Sequence, residues 1–199
     1  MSKIENIENY HPNGMLKEKG TNKDGKRVGK WIYCYESGEK FEEEIFDEEG
    51  KIQKRTRWYK NGKKEIERTG TYLDSKETGW FENGKKKYEI NFKDGKVNGL
   101  FTRWYENGNK KEEGTFKDFI KEGNWISFYE NGQKKMEGPY QNDLGEGPHV
   151  IWDENGKVIW EGDFKKTKPI NDEGFPYSLF PNFNRKPIND EGEPLFPYE

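Results

Sequence analysis

An Asn-Gly dipeptide, or a close variant of it, returns along this chain at a nearly fixed interval. Five of the six intervals between successive glycines are 24 residues long and one is 22. A period of this size predicts a repeat protein, in which each unit is a small supersecondary structure that packs against its neighbours. The glycines that mark the repeat are Gly14, Gly38, Gly62, Gly84, Gly108, Gly132 and Gly156.

Each dipeptide separates two short segments that are rich in aromatic residues and lysine. Asn-Gly in this setting favours a β-hairpin with a two-residue type I′ turn. In the unit around Gly132 this turn pairs Tyr129 with Lys134, Phe128 with Lys135, Ser127 with Met136 and Trp125 with Gly138. A second turn is expected in the other half of each unit, for example at Asp94-Gly95. The predicted fold class is therefore all-β, an elongated ribbon of hairpins in a single antiparallel sheet.

Alternation along a strand assigns each column of the repeat to one of two faces. Face A carries Trp125, Met136, Tyr140 and their equivalents in other units, and we predict it to be the buried side because more of its columns are apolar. The lysine two residues after each turn glycine is expected on this face, opposite the ring three residues before the glycine. Small residues six after the glycine, such as Gly114 and Gly138, leave room for a ring to lie across the backbone.

Face B carries a second line of rings, four residues before each turn glycine. Aromatic side chains at regular spacing are good anchors in protein interfaces. The alternative is that these rings pack within the sheet or against the C-terminal tail. We predict a partner-binding site here and call its residues the ring stripe: Trp58, Trp80, Trp104, Phe128 and Trp152.

Two places depart from the regular repeat. The 22-residue interval between Gly62 and Gly84 predicts a kink in the ribbon or an interruption of the strand ladder. The first unit lacks an aromatic segment before Tyr10, which predicts a cap or a half unit. We accordingly divide the chain into an N-terminal extension (1–9), a repeat array of about seven units (10–164) and a tail (165–199).

The tail contains a duplicated segment, Lys-Pro-Ile-Asn-Asp-Glu-Gly at 168–174 and again at 186–192, among prolines and aromatic residues. Proline at this density disfavours central strands. Three interpretations stay open: a terminal extension that wraps the last hairpin and covers its open edge, a linear motif that docks on a partner, or disorder without a function.

Composition limits the kinds of partner. The net charge is −3, and 35 basic residues are interleaved with 38 acidic ones. This balance favours neither nucleic acid nor an anionic membrane. The single Cys34 excludes an internal disulfide, and the first residues carry no apolar signal segment, so we expect a cytoplasmic protein.

Residues that could carry out chemistry are few. His11 lies next to the first turn and His149 in a repeat column, and neither has a second histidine or cysteine at metal-ligand spacing. Cys34 replaces a ring on face B, where a packed thiol is expected. We therefore predict no catalytic residues, no metal and no cofactor.

The repeat, Trp-x-x-Tyr/Phe-Tyr-Glu-Asn-Gly-x-Lys-Lys-x-Glu-Gly-x-Tyr/Phe, resembles the bacterial variant of the MORN repeat over about residues 10–164. This resemblance implies an elongated β-hairpin solenoid without catalysis. Several bacterial members carry antitoxin or immunity-like labels, which implies a module that binds and neutralises a partner protein, such as a toxin or effector encoded nearby. The eukaryotic members imply an alternative function, a membrane-associated or structural scaffold.

Overall fold

The computed structural model describes residues 2–165 and 168–169, and within them the backbone forms one antiparallel sheet of seventeen strands without a helix. The all-β fold is thus confirmed. The strands are β1 Ile4–Tyr10, β2 Leu16–Lys23, β3 Lys26–Cys34, β4 Lys40–Phe46, β5 Ile52–Trp58, β6 Lys64–Gly70, β7 Ser75–Trp80, β8 Lys86–Lys93, β9 Lys96–Val97, β10 Gly99–Trp104, β11 Lys110–Lys117, β12 Ile120–Phe128, β13 Lys134–Gln141, β14 Leu144–Gly145, β15 Gly147–Trp152, β16 Val158–Lys165 and β17 Lys168–Pro169.

The strands pair in chain order, so the sheet is a continuous meander. The short strands β9 and β14 pair with β8 and β13, which also pair with β10 and β15 further along. Two strands per unit, each about 4.8 Å from the next, advance the ribbon by roughly 10 Å per unit.

The turns at the repeat glycines differ from the predicted type I′ geometry. In the unit around Gly132, the Gly132 amide donates to the Tyr129 carbonyl at 2.9 Å and the Tyr129 amide to the Gln133 carbonyl at 2.8 Å. Gly132 has φ +90°, whereas Glu130 and Asn131 do not have positive φ. This is a type I turn followed by a glycine bulge, a three-residue loop. Asn131 favours it because its side-chain Oδ1 accepts the Gln133 amide at 2.9 Å.

The bulge shifts the pairing next to the turn by one residue. Phe128 pairs with Lys134, whereas the predicted pairing of Tyr129 with Lys134 and Phe128 with Lys135 was wrong. The predicted pairs further from the turn, Ser127 with Met136 and Trp125 with Gly138, are confirmed. Type I′ geometry occurs instead at four of the second turns, where both central residues have positive φ, as at Asp94 (51°) and Gly95 (73°).

Face A is the buried side, as predicted. Phe101, Phe116 and Trp125 are 3–6% exposed and form one cluster with Ile90, Phe92 and Val97. Trp125 lies flat on Gly114, because a Cβ placed on that glycine would be 2.2 Å from the Trp125 ring. From the other side Lys121 covers Trp125, with Nζ 3.9 Å from the ring centroid, and burial lowers the pKa of this lysine.

The middle of face A is charged rather than aromatic, which the sequence patterns did not predict. Arg55 and Glu77 stand in the column that holds tryptophan in other units, and Glu44 stands in the glycine column. Glu44 is 5% exposed, and it accepts hydrogen bonds from Arg55 Nη2 at 2.8 Å and from Tyr33 Oη at 2.8 Å. These bonds compensate the carboxylate for its lost hydration.

The predicted interruption in the 22-residue unit is not found. Strands β6 and β7 pair without a register shift from Ile66–Gly79 to Gly70–Ser75. Regular units such as β11–β12 contain a shift between Glu113 and Thr115, where the β12 partner moves from Ile126 to Glu122. The shorter unit lacks this bulge. The absence of the bulge accounts for the missing residues, and the strand ladder stays continuous.

Residues 4–9, which we placed in the N-terminal extension, are strand β1 and pair with β2. The first hairpin is therefore complete. At the other end, Lys168 and Pro169 of the tail pair with Lys165 and Phe164 of β16. The remainder of the predicted tail, including most of the duplicated segment, lies outside the described residues.

Candidate functional site

The ring stripe lies along one edge of face B. Each of its residues is the last of its strand, at the ends of β5, β7, β10, β12 and β15, and each ring is half-buried. The repeat length explains this alignment, because each ring precedes a turn of the same geometry. The structure thus brings Trp58, Trp80, Trp104, Phe128 and Trp152 into one line, about 10 Å apart.

Hydrogen bonds from one turn to the next hold the stripe in place. Tyr105 Oη donates to the Phe128 carbonyl at 2.8 Å, and Tyr129 Oη donates to the Trp152 carbonyl at 2.8 Å. Tyr59 makes the same bond to Trp80 at 2.7 Å. The main chain of three stripe residues is therefore fixed by the preceding unit.

Asparagine side chains make a parallel set of bonds between turns. Asn107 Nδ2 donates to the Glu130 carbonyl at 2.7 Å, and Asn131 Nδ2 donates to the Glu154 carbonyl at 2.7 Å. Asn13, Asn61 and Asn83 reach the next turn in the same way. The repeated Asn-Gly thus has two functions, since asparagine links the turns and glycine permits the bulge.

His11 belongs to this turn system. It occupies the tyrosine column of the first unit, and its Nε2 donates to the Cys34 carbonyl at 2.9 Å. This contact was not predicted from the sequence. The signal was its position three residues before Gly14, where each of the next five units has a tyrosine or a phenylalanine.

Lysines cover the rings of the stripe, so the prediction that these lysines lie on face A was wrong. The lysine two after the turn glycine lies on face B because of the bulge, and in four units it covers the ring of the next unit. Lys40 Nζ is 3.8 Å from the Trp58 centroid, and Lys64 Nζ is 5.5 Å from the Trp80 centroid. The following lysine instead faces the ring three before the glycine, as Lys111 does Tyr105 at 5.3 Å.

The same lysines are paired with glutamates of face B. Lys110 and Glu113 are 2.6 Å apart, as are Lys134 and Glu137. The hydrogen bond from Lys134 is the main cause that lowers the pKa of Glu137 below its ordinary value. The stripe is thus a row of half-exposed rings bordered by ordered, ionised side chains.

The histidine and cysteine positions offer no arrangement typical of catalysis. His149 is fully buried in the tryptophan column of face A, against Phe164 with 4.2 Å between ring centroids. Cys34 is buried on face B. Within the part of the chain that the structure describes, no group of three His, Cys, Asp or Glu side chains could hold a metal ion.

A comparison with known protein families matches several of these hairpins to a repeat family. Three consecutive segments match the MORN repeat variant, at residues 73–94, 97–118 and 121–142. Each MORN-variant segment contains one repeat glycine and the two strands that flank its turn. MORN repeats are generally protein-binding or membrane-binding modules.

The matched segments cover the middle and later units, whereas the resemblance stated from the sequence extends over 10–164. Among curated proteins, none matches the chain. No helix that could cross a membrane is found in residues 2–165.

Proposed function

We propose that the protein is a non-catalytic protein-binding module whose binding surface is the ring stripe. The single observation that carries the proposal is the line of five half-exposed rings on a sheet face over which residues 2–165 place no second layer. Half-exposed tryptophans with a charged border have the composition of interface hot spots and their rims. The MORN-variant segments support a binding function.

We further propose that the partner is a toxin or effector protein encoded nearby, which this protein neutralises in the cytoplasm as an antitoxin or immunity protein. This part of the proposal rests on the resemblance to bacterial MORN-variant proteins. A rigid ribbon suits such a role, because the tyrosine and asparagine bonds order the surface before binding.

A second candidate is a membrane-associated or structural scaffold. It is favoured by an excess of lysine over glutamate on face B around Trp58, Trp80 and Trp104, since a positive surface attracts anionic lipid. Flotation with anionic liposomes tests it, and we expect the protein to stay unbound because the interleaved glutamates repel phosphate.

The protein-binding proposal is tested with Trp104→Ala and Trp152→Ala and the product of the adjacent gene. We expect each change to weaken binding about tenfold or more, as truncation of a hot-spot ring does, with the β-sheet circular dichroism retained. Tyr72→Ala is the matched control, since Tyr72 is an exposed ring (53%) outside the stripe. Binding is measured by isothermal titration calorimetry.

Two results would contradict the proposal. If the tryptophan variants unfold, the ring stripe is part of the core. If the unmodified protein forms no complex with the adjacent gene product at micromolar concentration, the neutralising role is wrong.

A further inference from the structure

Three consecutive units carry the same group of four side chains on face B. In the first, Glu43 lies between Lys30 at 3.3 Å and Lys40 at 3.1 Å, and Lys40 covers Trp58. We call each Lys–Glu–Lys set a lysine triplet. The next two units repeat it with Lys54, Glu67, Lys64 beside Trp80 and with Lys76, Glu89, Lys86 beside Trp104.

Each lysine triplet has a net charge of +1. Burial opposes ionisation of Glu43, but hydrogen bonds and charges from Lys40 and Lys30 outweigh it and hold the pKa of Glu43 below its ordinary value. The hydrogen bond from Lys86 has the same effect on the pKa of Glu89. The glutamates are thus ionised at neutral pH, and two ammonium groups exceed one carboxylate.

In the first and third triplets the outer lysine is the most accessible member, whereas in the second Lys64 (44%) is slightly more exposed than Lys54 (38%). The side chains of Lys30 and Lys76 are 57% and 55% exposed, whereas Glu43 and Glu89 are 17% and 26% exposed. The next two units have Leu100 and Asn124 in this column, so their remaining Lys–Glu pairs are neutral. The positive excess is confined to the half of face B that holds Trp58, Trp80 and Trp104.

We propose that the three lysine triplets bind carboxylates of an extended acidic segment of a partner protein, whose apolar residues contact Trp58, Trp80 and Trp104. The proposal rests on the protein-binding function of the ring stripe and names the chemistry of its partner. A carboxylate placed over a triplet neutralises the excess charge, and the adjacent ring offers an apolar surface to the neighbouring residue.

The spacing of the triplets specifies the conformation of this segment. Successive triplets are two strands apart, about 9.6 Å. A polyproline II segment advances about 9.3 Å in three residues and presents every third side chain on the same side. An acidic residue at every third position therefore matches the triplets, and a segment without internal hydrogen bonds can follow the twist of the sheet.

A membrane surface fits the triplets less well. Lipid phosphates form a continuous negative layer, which would bring Glu43, Glu67 and Glu89 close to phosphate as well as the lysines. A peptide can place its carboxylates at the outer lysines and uncharged residues elsewhere. The charge pattern thus favours a segment with spaced acidic residues.

The test uses the whole chain and fluorescein-labelled peptides in fluorescence anisotropy. The probe is (Glu-Pro-Pro)4; the controls are (Gln-Pro-Pro)4 and a peptide of the same composition with its glutamates grouped together. The protein variant is Lys30→Gln/Lys54→Gln/Lys76→Gln. Its matched control, Lys17→Gln/Lys26→Gln/Lys157→Gln, removes the same charge from exposed positions outside the triplets.

We expect (Glu-Pro-Pro)4 to bind about tenfold more tightly than either control peptide, and the triplet variant to lose about tenfold while the matched variant does not. Equal binding of the grouped peptide, or equal effects of the two variants, would overturn the proposal. A labelled peptide of residues 186–199, which contains Asp190, Glu191 and Leu195, is a further probe. If it binds the triplets more tightly than (Glu-Pro-Pro)4, the occupant is this chain's own segment and the proposal is wrong.

Vesicles that contain phosphatidylserine are the last probe. Binding that depends on Lys30, Lys54 and Lys76 in vesicles but not in peptides would assign the triplets to lipid and overturn the proposal. Failure of the peptide alone leaves the protein-binding function standing if Trp104→Ala still weakens the complex with the adjacent gene product. If the peptide does not bind and Trp104→Ala does not weaken the complex, both proposals are wrong.

Discussion

Gly114 shows how a single residue positions the core of this sheet. The Trp125 ring occupies the space in which any Cβ at position 114 would lie. The sequence predicted this relation, because a small residue recurs opposite a large ring. The same relation holds at Gly138, where the ring is His149 rather than tryptophan. Sequence reasoning did not recognise His149 as a core residue, because histidine is usually found at exposed positions.

We expect Gly114→Val to destabilise the protein by about 2–3 kcal/mol, because the valine displaces the Trp125 ring from an already packed position. Thermal unfolding followed by circular dichroism measures the effect. Thr115→Val is the control on the neighbouring residue, which faces the other side of the strand. A Gly114→Val variant as stable as the Thr115→Val variant would contradict this account of the core.

Acid should destabilise the C-terminal units through His149. Burial lowers the pKa of His149 below 6.5, although the carbonyl of Gly147 and the charge of Asp163 act in the opposite direction. The unfolded chain therefore binds a proton more readily than the folded one. The contribution of neutral His149 to the free energy of unfolding is therefore fully present above pH 6.5. It decreases as the pH falls from there towards the lower pKa of the folded state.

Urea unfolding of the unmodified protein and of His149→Phe between pH 5 and 8 measures this effect. We expect the stability difference to shift in favour of the phenylalanine variant as the pH falls. Since both proteins retain His11, the comparison isolates His149. Parallel curves over this range would show that His149 ionises equally in the folded and unfolded chains.

At the scale of the element, the hairpin turn decides which side chains share a face. Asn-Gly alone predicted a type I′ turn, and that prediction was wrong because it ignored the asparagine bond that stabilises a three-residue loop. The shift of one residue moves Lys134 to face B. The alignment of the ring stripe did not depend on this detail, since strand parity before the turn is unaffected. Its role in binding stays a prediction.

The links between turns should contribute measurably to stability. Asn107→Ala removes the bond to the Glu130 carbonyl and the bond from the Asn109 amide, and we expect a loss of about 1 kcal/mol. Asn155→Ala is the control, because its turn is closed by Asp153 and its side chain bonds no other turn within residues 2–165. Equal melting temperatures for the two variants would show that the links are energetically neutral.

At the scale of the whole molecule, the ribbon has buried apolar residues around Trp31 and around Trp125, with a charged region between them. The direction of the sheet and the order of its strands could be predicted from the repeat alone. The charged region could not be predicted, because each column of the repeat was defined by its aromatic members. Arg55 and Glu77 stand in such a column at units that have no ring there. The pair of Arg55 and Glu44 contributes less to stability than apolar packing does, since the buried carboxylate of Glu44 loses its hydration.

Amide hydrogen exchange should reveal this difference. Each unit contacts only its neighbours, so local stability can vary along the array. We expect slower exchange in β10–β12, around Phe101, Phe116 and Trp125, than in β4–β6, around Glu44 and Arg55. Mass spectrometry of exchanged peptides measures both regions in one sample, and uniform protection would contradict the expectation.

In five of the units the turn asparagine reaches one turn forward and no further. An in-frame duplication of 24 codons would therefore add a hairpin that already carries its own donor and acceptor. The ribbon could gain or lose such modules during evolution without redesign of those on either side. The length of its binding surface is thus a property that selection can change in steps.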